Sequence, residues 1–437
     1  MAATGLLIFL LVLLLMLLGT PVAFAFLGAS LLGSAVLMGG VSGLLQLVDN
    51  STSLITSFTL VAIPLFVLMG SLLFHSGLAL RVFDTLDLLF GRIPARLSYL
   101  TVAGGATFST LTGSTLANTA MLGSLMVPEM SRRGYATHMS VGPIIGTGGL
   151  AMLIPPSALG VLLGSLARID IGALLIAGLL PGLLLAALYC AVIGVQAHLD
   201  PDSAPVYADD DGAPVAARQK LWLFAVNILP LGLVIFCVVG FIILGIATPS
   251  EAAAFGALSV VLLAAANRCL TLTALRRSLF ATVEVTAMVF LLVMSSSVFS
   301  QLMAFAGSST ALIDASIGVE AAPLIKLLAM FATLLLLGMF MDQISIMLLT
   351  LPVFFPLAAS LGYDPVWFGI LVLLAMEMSL STPPFGLLLF VMQGVAPADT
   401  RFGEIARAAM PYLLCDLTLL ALLVAFPALA LYLPGLI

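Results

Sequence analysis

Charged residues are scarce in this chain: Asp, Glu, Lys and Arg together make up 8% of its 437 residues. Hydrophobic residues make up 62%, whereas soluble domains carry roughly 25% charged residues and are about half apolar. Because such a chain cannot cover a soluble surface, the sequence predicts a membrane protein. The net charge of −6 comes largely from one acidic loop and implies no nucleic-acid partner.

Histidine and cysteine are nearly as rare, and their spacing argues against metal and redox chemistry. The three histidines, His75, His138 and His198, lie far apart. The four cysteines stand singly in apolar segments, without the paired spacing of a zinc or redox motif: Cys190, Cys237, Cys269 and Cys415. No nucleophile–base pair stands out, so a membrane-embedded enzyme is the least supported class.

Apolar runs long enough to cross a bilayer core of about 30 Å recur along the whole chain. The first run has no charge before Asp49, so it lacks the basic start of a cleaved signal peptide. Its break at Gly19-Thr20-Pro21 predicts a turn between two spans. The predicted membrane-crossing segments are 3–18, 21–40, 55–76, 138–166, 171–198, 221–246, 250–268, 281–304, 365–395 and 405–435.

An internal repeat relates the two halves of the chain. Gly134-Tyr135 recurs as Gly362-Tyr363, at an interval of 228 residues (362 − 134 = 228). Prolines recur at the same interval, Pro128 as Pro356 and Pro155-Pro156 as Pro383-Pro384. In a membrane protein, a duplicated unit with proline-broken segments at corresponding positions points to a secondary transporter and to its binding site.

The fourteen Lys and Arg residues orient the predicted spans, because positive charge favours the cytoplasmic side. An apolar block at about 96–130 has arginines at both ends, so it enters and leaves by the cytoplasmic face, as a re-entrant hairpin does. A second block at about 323–360 is flanked mainly by acids and opens to the outside. Only Arg168 and Lys326 violate this topology (14 − 2 = 12 obey it). The two repeats are therefore predicted to be inverted, with both termini outside.

The predicted fold is an all-α polytopic membrane protein with two inverted-topology repeats, each with a re-entrant helical hairpin and a proline-broken transmembrane helix. The acidic stretch 199–220 is predicted to be a flexible cytoplasmic linker, a better description of its aspartate run than a cation site. The other divisions are scaffold helices at 1–54, the first repeat at 55–198 with its broken helix at 138–166, scaffold helices at 221–280, and the second repeat at 281–437 with its broken helix at 365–395.

Each repeat has two places where helical continuity fails, the hairpin tip and the proline pair. Tandem prolines free backbone carbonyls, which must be buried in protein or line a wet cavity. Such carbonyls and nearby hydroxyls suit Na⁺, while half-helix N-termini at the same depth favour an anionic substrate. The first tip supplies a cluster of hydroxyls, Ser109, Thr112, Ser114 and Thr115. The alternative for each is a hydrogen bond to its own helix or a packing role.

Asp342 occupies the second tip, at the position that corresponds to Ser114 (342 − 114 = 228). A carboxylate at this depth is costly unless it is paired, and no Lys or Arg lies near it in the sequence. A bound cation or a proton is therefore its expected partner. Glu377, beside the second proline pair, is either an ion ligand or a contact to a cavity or the scaffold. Structural roles are expected for three other acids: hydrogen bonds for Glu284 and Asp416, and a helix cap for Glu251.

The sequence contains motifs that resemble those of a known family, in the family's order: Ile63-Pro-Leu-Phe-Val-Leu-Met-Gly70, Leu153-Ile-Pro-Pro-Ser157, Thr248-Pro-Ser-Glu-Ala-Ala-Ala254, Gly362-Tyr-Asp-Pro365 and Thr382-Pro-Pro-Phe-Gly386. Together with Asp342, Pro352 and Pro356, they resemble the large membrane subunit of tripartite ATP-independent periplasmic (TRAP) transporters, the DctM-like proteins. Each motif is weak alone, but the combination is specific, and the resemblance covers essentially the whole chain.

The resemblance implies an elevator-type, Na⁺-driven importer of organic acids in the bacterial inner membrane. It implies two partners: a small four-helix, DctQ-like membrane subunit, expected as a separate chain, and a periplasmic substrate-binding protein. Na⁺ is the implied coupling ion, and no other cofactor is expected. Dicarboxylates, sialic acids, keto acids and ectoine-like solutes all remain open as substrates.

The resemblance also implies where the ligands bind. One sodium site would lie where the first tip meets the first broken helix, at Ser109, Gly113, Ser114, Gly146 and Gly148. The other would lie where the second tip meets the second broken helix, at Asp342, Met376 and Thr382. Substrate would sit between the tips, at Ser114, Thr115, Asn118, Pro155, Ser157, Ser345 and Pro383.

Two other transport mechanisms remain open from the sequence. A stand-alone ion-coupled carboxylate transporter of the same superfamily would work without a binding protein. An ion channel usually gains its pore from oligomeric symmetry. The breaks in this sequence are paired within one chain, so the channel is less well supported.

Overall fold

The structure, a computed structural model, describes residues 2–90, 93–112, 115–205, 217–307, 321–397 and 400–436. Within these ranges the secondary structure is almost entirely helical, and no strand occurs. A helix satisfies its backbone donors and acceptors internally, as a chain surrounded by lipid requires. The predicted all-α class is confirmed.

The described helices long and apolar enough to cross a membrane are Phe58–His75, Ile171–Leu199, Arg218–Ile243, Pro249–Ala266, Leu272–Phe305, Gln343–Ser360 and Phe402–Ala425. A further crossing arises if Thr137–Leu153 and Ala158–Ala167, whose axes differ by 44°, form one bent span. Two shorter helices, Ala2–Leu17 and Val22–Leu37, are also apolar. The chain is thus a polytopic membrane protein, as predicted.

Two helices are absent from the predicted spans, Val41–Ile55 and Leu78–Phe90. Each alternates apolar and polar residues at helical spacing instead of forming an apolar run. The second, for example, carries Arg81, Asp84 and Asp87. A search for uninterrupted apolar runs passes over amphipathic helices of this kind.

The prediction was also wrong about the last span, 405–435, which is shorter than expected. Helix Phe402–Ala425 ends just before Pro427, and only the short helix Ala428–Leu431 follows. Proline lacks the backbone donor that the next turn of a helix would need. The remaining short elements are the 3-10 turns Phe58–Val61, Pro201–Ser203 and Pro434–Leu436. A further helix begins at Ala217–Leu223, passes through a π-helical turn at Phe224–Ile228 and continues as Leu229–Ile243.

Each half of the chain holds a pair of helices and a broken helix. The first hairpin consists of Arg96–Thr112 and Thr115–Arg132, and the first broken helix of Thr137–Leu153 and Ala158–Ala167. The second hairpin consists of Pro323–Gly338 and Gln343–Ser360, and the second broken helix of Pro365–Ser381 and Leu387–Val395. In both halves, the two hairpin helices pack against the first segment of the broken helix.

The repeated Gly-Tyr landmarks share a backbone conformation. Gly134 has φ of +78° and Gly362 has φ of +79°, in the left-handed region that favours glycine at the end of a helix. Each glycine ends the second helix of its hairpin and starts the turn into the broken helix. The two halves are therefore alike in local geometry at this turn, and their inverted orientation stays a prediction.

The first segments of the two broken helices form the centre of the molecule. Every residue at 139–153 and at 367–381 is buried. Helices Ile171–Leu199 and Phe402–Ala425 pack against both segments. The first proline break is buried as well, as freed backbone groups require, whereas Pro384 and Phe385 of the second break are exposed.

The N-terminal helices pack at a different place. Val22–Leu37 lies against the long helix Leu272–Phe305. The rings of Phe26 and Phe299 meet edge to face there, with centroids 4.9 Å apart. The beginning of the chain is thus anchored on a helix of its second half, outside the central group.

Candidate functional site

The tip of the second hairpin lies beside both proline breaks. On one side, Nε2 of Gln343 approaches Sδ of Met152 at 3.7 Å, at the end of the first broken helix's first segment. On the other side, the rings of Phe340 and Phe385 lie 5.5 Å apart, and Phe385 follows the second proline pair. The tip and the two breaks form one region, which we call the central site (152–157, 340–345 and 380–386).

Asp342 caps the helix that begins at this tip. Its Oδ2 accepts hydrogen bonds from the backbone N–H groups of Ile344 at 3.1 Å and Ser345 at 3.2 Å. Its Oδ1 accepts a hydrogen bond from the Ser345 hydroxyl, and Ser345 is fully buried. The helix N-terminus therefore stabilises the carboxylate. Sequence reasoning missed these donors, although a capping residue followed by a serine three positions on was a visible signal.

The predicted ligands Gly146 and Gly148 lie within a regular helix that continues to Leu153. Inside a helix, each carbonyl normally bonds to the amide four residues further on. Pro155 and Pro156 have no N–H, so the carbonyls that the break leaves without helical partners are those of Ala151 and Met152. The sodium role of the two glycines stays a prediction, and the structure shows no break at their own positions.

Glycine in this helix has a packing function. A Cβ on Gly146 would lie 2.6 Å from Cδ1 of Tyr412, and a Cβ on Gly149 would lie 2.6 Å from Cγ of Glu377. Both distances are too short for a real contact between carbon atoms. The glycines thus let the neighbouring side chains approach the helix axis, which is the small-residue packing considered from the sequence.

The first break contains two predicted substrate contacts, Pro155 and Ser157, and both are buried. The Pro155–Pro156 peptide bond is cis. Ser157 caps the helix Ala158–Ala167, because its hydroxyl oxygen accepts a hydrogen bond from the Gly160 N–H at 3.1 Å. The helix that begins here directs its first N–H groups into the central site.

Hydroxyls near the second break bond back to their own helix. Thr382 Oγ1 donates to the Met378 carbonyl at 2.6 Å, and Ser379 Oγ donates to the Met376 carbonyl at 2.6 Å. Pro383 follows, half-buried, and its bond to Pro384 is cis. Such back-bonding is the alternative weighed for these residues, and the ion-binding role of Met376 and Thr382 stays a prediction.

Glu377 reaches from the second broken helix to the first hairpin. It is 2% exposed, and its Oε2 accepts a hydrogen bond from the Thr115 hydroxyl at 3.3 Å. Thr119, one turn further, is fully buried, and its hydroxyl has no hydrogen-bond partner among the described residues. It lies against Gly148, where a Cβ would be 2.8 Å from Thr119 Oγ1. We call Glu377, Thr115, Thr119 and Gly148 the Glu377 cluster; Asn118 is buried on the same helix.

Other acids have mostly the structural roles expected of them. Asp416 accepts a hydrogen bond from the Tyr189 hydroxyl. Glu251 forms a capping box with Thr248, whose N–H donates to Glu251 Oε2 at 2.8 Å. The expectation was wrong for Glu284, which is exposed and makes no hydrogen bond within the described part of the chain.

Part of the predicted first tip lies outside the described residues. Gly113 and Ser114, and the side chain of Ser109, lie outside the described residues. The structure thus places Thr115 with Gly148, and Ser157, Ser345 and Pro383 with the second tip. The first sodium site stays a prediction.

The sequence is similar to known membrane transport proteins over most of its length. Residues 9–429 match the family described as "Tripartite ATP-independent periplasmic transporter, DctM component". The chain is 32% identical over 380 residues to the C4-dicarboxylate TRAP transporter large permease protein DctM of Pseudomonas aeruginosa, covering 86% of each chain. It is 30% identical over 419 residues to the sialic acid TRAP transporter large permease protein SiaM of Vibrio cholerae, covering 96% of this chain and 95% of that one.

Among solved structures, the fold is similar to the YdaH transporter of Alcanivorax borkumensis, with a TM-score of 0.65 and 15% identity. The match covers 98% of this chain and 99% of that one, and at this identity it concerns the fold alone. The family match covers nearly the whole chain, including the central site and both hairpins, and its members are transporter permeases, not enzymes. The chain belongs to the DctM component family of tripartite ATP-independent periplasmic transporters.

Proposed function

We propose that this chain is the translocation subunit of a Na⁺-coupled secondary transporter that imports an organic acid across the bacterial inner membrane. A periplasmic binding protein delivers the substrate, and a small four-helix membrane subunit on a separate chain completes the complex. The hairpins and broken helices move together against the outer helices in an elevator-type alternating-access cycle. Both termini face the periplasm.

The observation that carries this proposal is the position of the second tip between the two breaks. Helices begin at Ala158 and Leu387 around this region. A helix N-terminus presents N–H groups and a partial positive charge, which suit an anionic group. Broken spans at corresponding positions of two halves are where secondary transporters hold substrate and ion. A carboxylate substrate therefore fits the central site.

Asp342 supplies the negative charge for a coupling cation. It is half-buried, and within the described residues no ion pair joins it to Lys or Arg. A charged side chain in the membrane interior is costly unless it is neutralised. A Na⁺ ion at the tip would offset the charge of Asp342 and lower the cost of moving the loaded site through the membrane.

The substrate class follows from the same chemistry. The relatives are named for C4-dicarboxylate and sialic acid transport, and both substrates carry a carboxylate. Helix N-termini recognise that group without distinguishing the rest of the molecule. The binding protein would then select among dicarboxylates, sialic acids and similar acids.

The test is uptake into proteoliposomes that contain this chain and its small subunit, with the periplasmic binding protein added outside. Radiolabelled succinate and N-acetylneuraminate serve as probes, under an inward Na⁺ gradient or with K⁺ in its place. We expect accumulation of one probe only when all three proteins and the Na⁺ gradient are present.

Two results would contradict the proposal in different ways. Uptake at full rate by this chain alone would identify a stand-alone ion-coupled carboxylate transporter, the alternative left open by the sequence. Equal accumulation with Na⁺ and with K⁺ would remove Na⁺ as the coupling ion.

A further inference from the structure

We propose that one exposed face of the helix Leu272–Phe305 binds a transmembrane helix of the small membrane subunit, and that a Lys or Arg of that helix pairs with Glu284. The inference rests on the small subunit of the proposed function, and it assigns the place and the chemistry of the contact. We call this surface the Glu284 face; it consists of Arg276, Arg277, Phe280, Val283, Glu284 and Met288.

The helix that carries this face is covered along its second half and open along its first. Every residue at 289–303 is buried or half-buried, and Val22–Leu37 packs against this part of the helix. Most residues at 272–288 are exposed instead. Phe280 is 62% exposed, and Val283 is 64% exposed. The described part of the chain therefore leaves one side of a membrane-crossing helix open.

The Glu284 face carries charges of both signs that do not pair with each other. Arg276 and Glu284 are eight residues apart (284 − 276 = 8), which is about 12 Å along a helix. The Arg276 guanidinium lies over the Phe280 ring, 5.5 Å from its centroid. Among the described residues, neither Glu284 nor the two arginines at 276 and 277 form an ion pair or a hydrogen bond. Their counter-charges have to come from another molecule.

These charges line a concave part of the surface. A pocket of about 610 Å³ is lined by Glu284, by the arginines at 276 and 277, by Phe280 and by His75 of the neighbouring helix. Nδ1 of His75 lies 2.9 Å from the Ser71 carbonyl oxygen, which holds the ring in place. Anchoring side chains of a binding partner typically fill such pockets. A basic side chain from a partner helix can therefore enter here and reach Glu284.

Lipid alone does not satisfy Glu284. A phospholipid phosphate suits Arg276 and Arg277, which lie near the start of the helix. Glu284 lies about two turns further along, and the exposed side chains before and after it, Phe280 and Met288, are apolar. At that level a lipid offers its acyl chains, and a carboxylate that faces them is costly. A polar side chain on a neighbouring helix is the partner that a membrane provides for such a group.

A second copy of this chain does not fit the face either. Two copies in one membrane are related by a two-fold axis along the membrane normal, so each residue lies at the same depth as its copy. Glu284 would then meet Glu284, and Arg276 would meet Arg276. Like charges placed together across an interface are strongly unfavourable. The face therefore suits a different protein, with a basic residue at the depth of Glu284 and an acid near the arginines.

The first experiment replaces Phe280 with the photoreactive p-benzoylphenylalanine in the full-length chain, which is co-expressed with a tagged small subunit. The matched control has the same replacement at Phe236, which is 72% exposed on the helix Leu229–Ile243. After irradiation of the membranes, we expect an adduct of the two subunits from position 280 and none above background from position 236. Mass spectrometry of the adduct then identifies the partner helix.

The second experiment measures how much of the small subunit co-purifies with the chain. Glu284→Lys places like charges together, so the amount should fall at least about tenfold. Asp49→Lys, at an exposed acid of the helix Val41–Ile55, should keep the wild-type amount. In the small subunit, changing the basic residue nearest the adduct to Glu should restore binding to Glu284→Lys. The adduct from position 280 answers the question if Glu284→Lys fails to fold.

The inference alone is overturned by an adduct with a second copy of this chain, by no protein adduct from position 280, or by an equal adduct from position 236. A wild-type amount of small subunit with Glu284→Lys, or an equal loss with Asp49→Lys, overturns it as well. A wild-type chain that does not retain the small subunit overturns that part of the proposed function, and this inference with it.

Discussion

Tyr189 donates a hydrogen bond to Asp416, and this bond joins the helix Ile171–Leu199 to the helix Phe402–Ala425. The two residues are 227 positions apart in the sequence, and both are buried. The Tyr189 ring also lies 5.3 Å from the ring of Tyr412, about one turn before Asp416. The contact therefore links the helix that follows the first broken helix to the helix that follows the second broken helix.

The change Tyr189→Phe keeps the ring and removes the donor. A buried polar group left without its partner costs about 1–3 kcal/mol, so the free energy of unfolding should fall by about that amount in detergent-based unfolding measurements. Tyr432→Phe, at a residue that is 62% exposed, should stay within about 0.5 kcal/mol of the wild type. Additive effects of Tyr189→Phe and Asp416→Asn in the double variant would show that the bond contributes no stability.

Asp342 has a negative charge and also caps a helix, and two substitutions can separate these roles. Asp342→Asn should abolish Na⁺-driven uptake and leave the unfolding temperature nearly unchanged, because Asn caps a helix about as well as Asp does. Asp342→Ala should lose uptake and, in addition, about 0.5–2 kcal/mol of stability. Both properties are measured on the same preparations, by proteoliposome uptake and thermal unfolding.

Asp364 provides the control for that pair of variants. It caps the helix Pro365–Ser381 through the N–H groups of Val366 at 2.8 Å and Trp367 at 3.0 Å. Asp364→Asn should therefore keep both uptake and stability. Na⁺ dependence like that of the wild type in Asp342→Asn would remove Asp342 from the ion site.

The proline breaks could be predicted from the sequence because their cause is local. A proline pair prevents the preceding residues from continuing a helix. The structure accordingly ends helices at Leu153 and Ser381, each separated from its proline pair by one residue. The capping box at Glu251 was readable for the same reason, since all of its donors and acceptors lie within four residues.

The contact between Thr115 and Glu377 could not be predicted, because the sequence of the Glu377 helix does not indicate which neighbour each side chain faces. Every residue at 367–381 is buried, so apolar residues surround the helix on all sides. A helix without a polar face has no periodic signal that tells which neighbour each side chain meets. Helix Val41–Ile55 was missed for the opposite reason: its polar positions interrupt the apolar run that a membrane span would show.

Glycines at close contacts should not tolerate a methyl group. Gly146→Ala would place a Cβ 2.6 Å from the Tyr412 ring, and overpacking of this kind costs about 1–3 kcal/mol. Gly232→Ala is the matched control within another helix, since beyond the adjoining backbone of its own helix no atom lies within 4 Å of its Cβ position. Alanine should stabilise that helix by about 0.8–1.0 kcal/mol. Thermal unfolding compares the two; a stable Gly146→Ala would mean that Tyr412 can move aside.

The inverted orientation of the repeats can be tested at two matched exposed positions, Ser131 and Ala359 (359 − 131 = 228). Each is changed to Cys in a variant whose four native cysteines are serines. A membrane-impermeant maleimide should label Ala359→Cys in cells with a permeabilised outer membrane. Ser131→Cys should react only once the inner membrane is opened. Labelling of both from the same side would exclude inverted repeats.

The contact between Phe26 and Phe299 sets an order of events during synthesis. Its two rings are 273 residues apart in the chain (299 − 26 = 273). At about 5–20 residues per second, the N-terminal helices leave the ribosome on the order of tens of seconds before the helix Leu272–Phe305 exists. During that interval the face around Phe26 lacks its final neighbour, so this contact forms late in assembly.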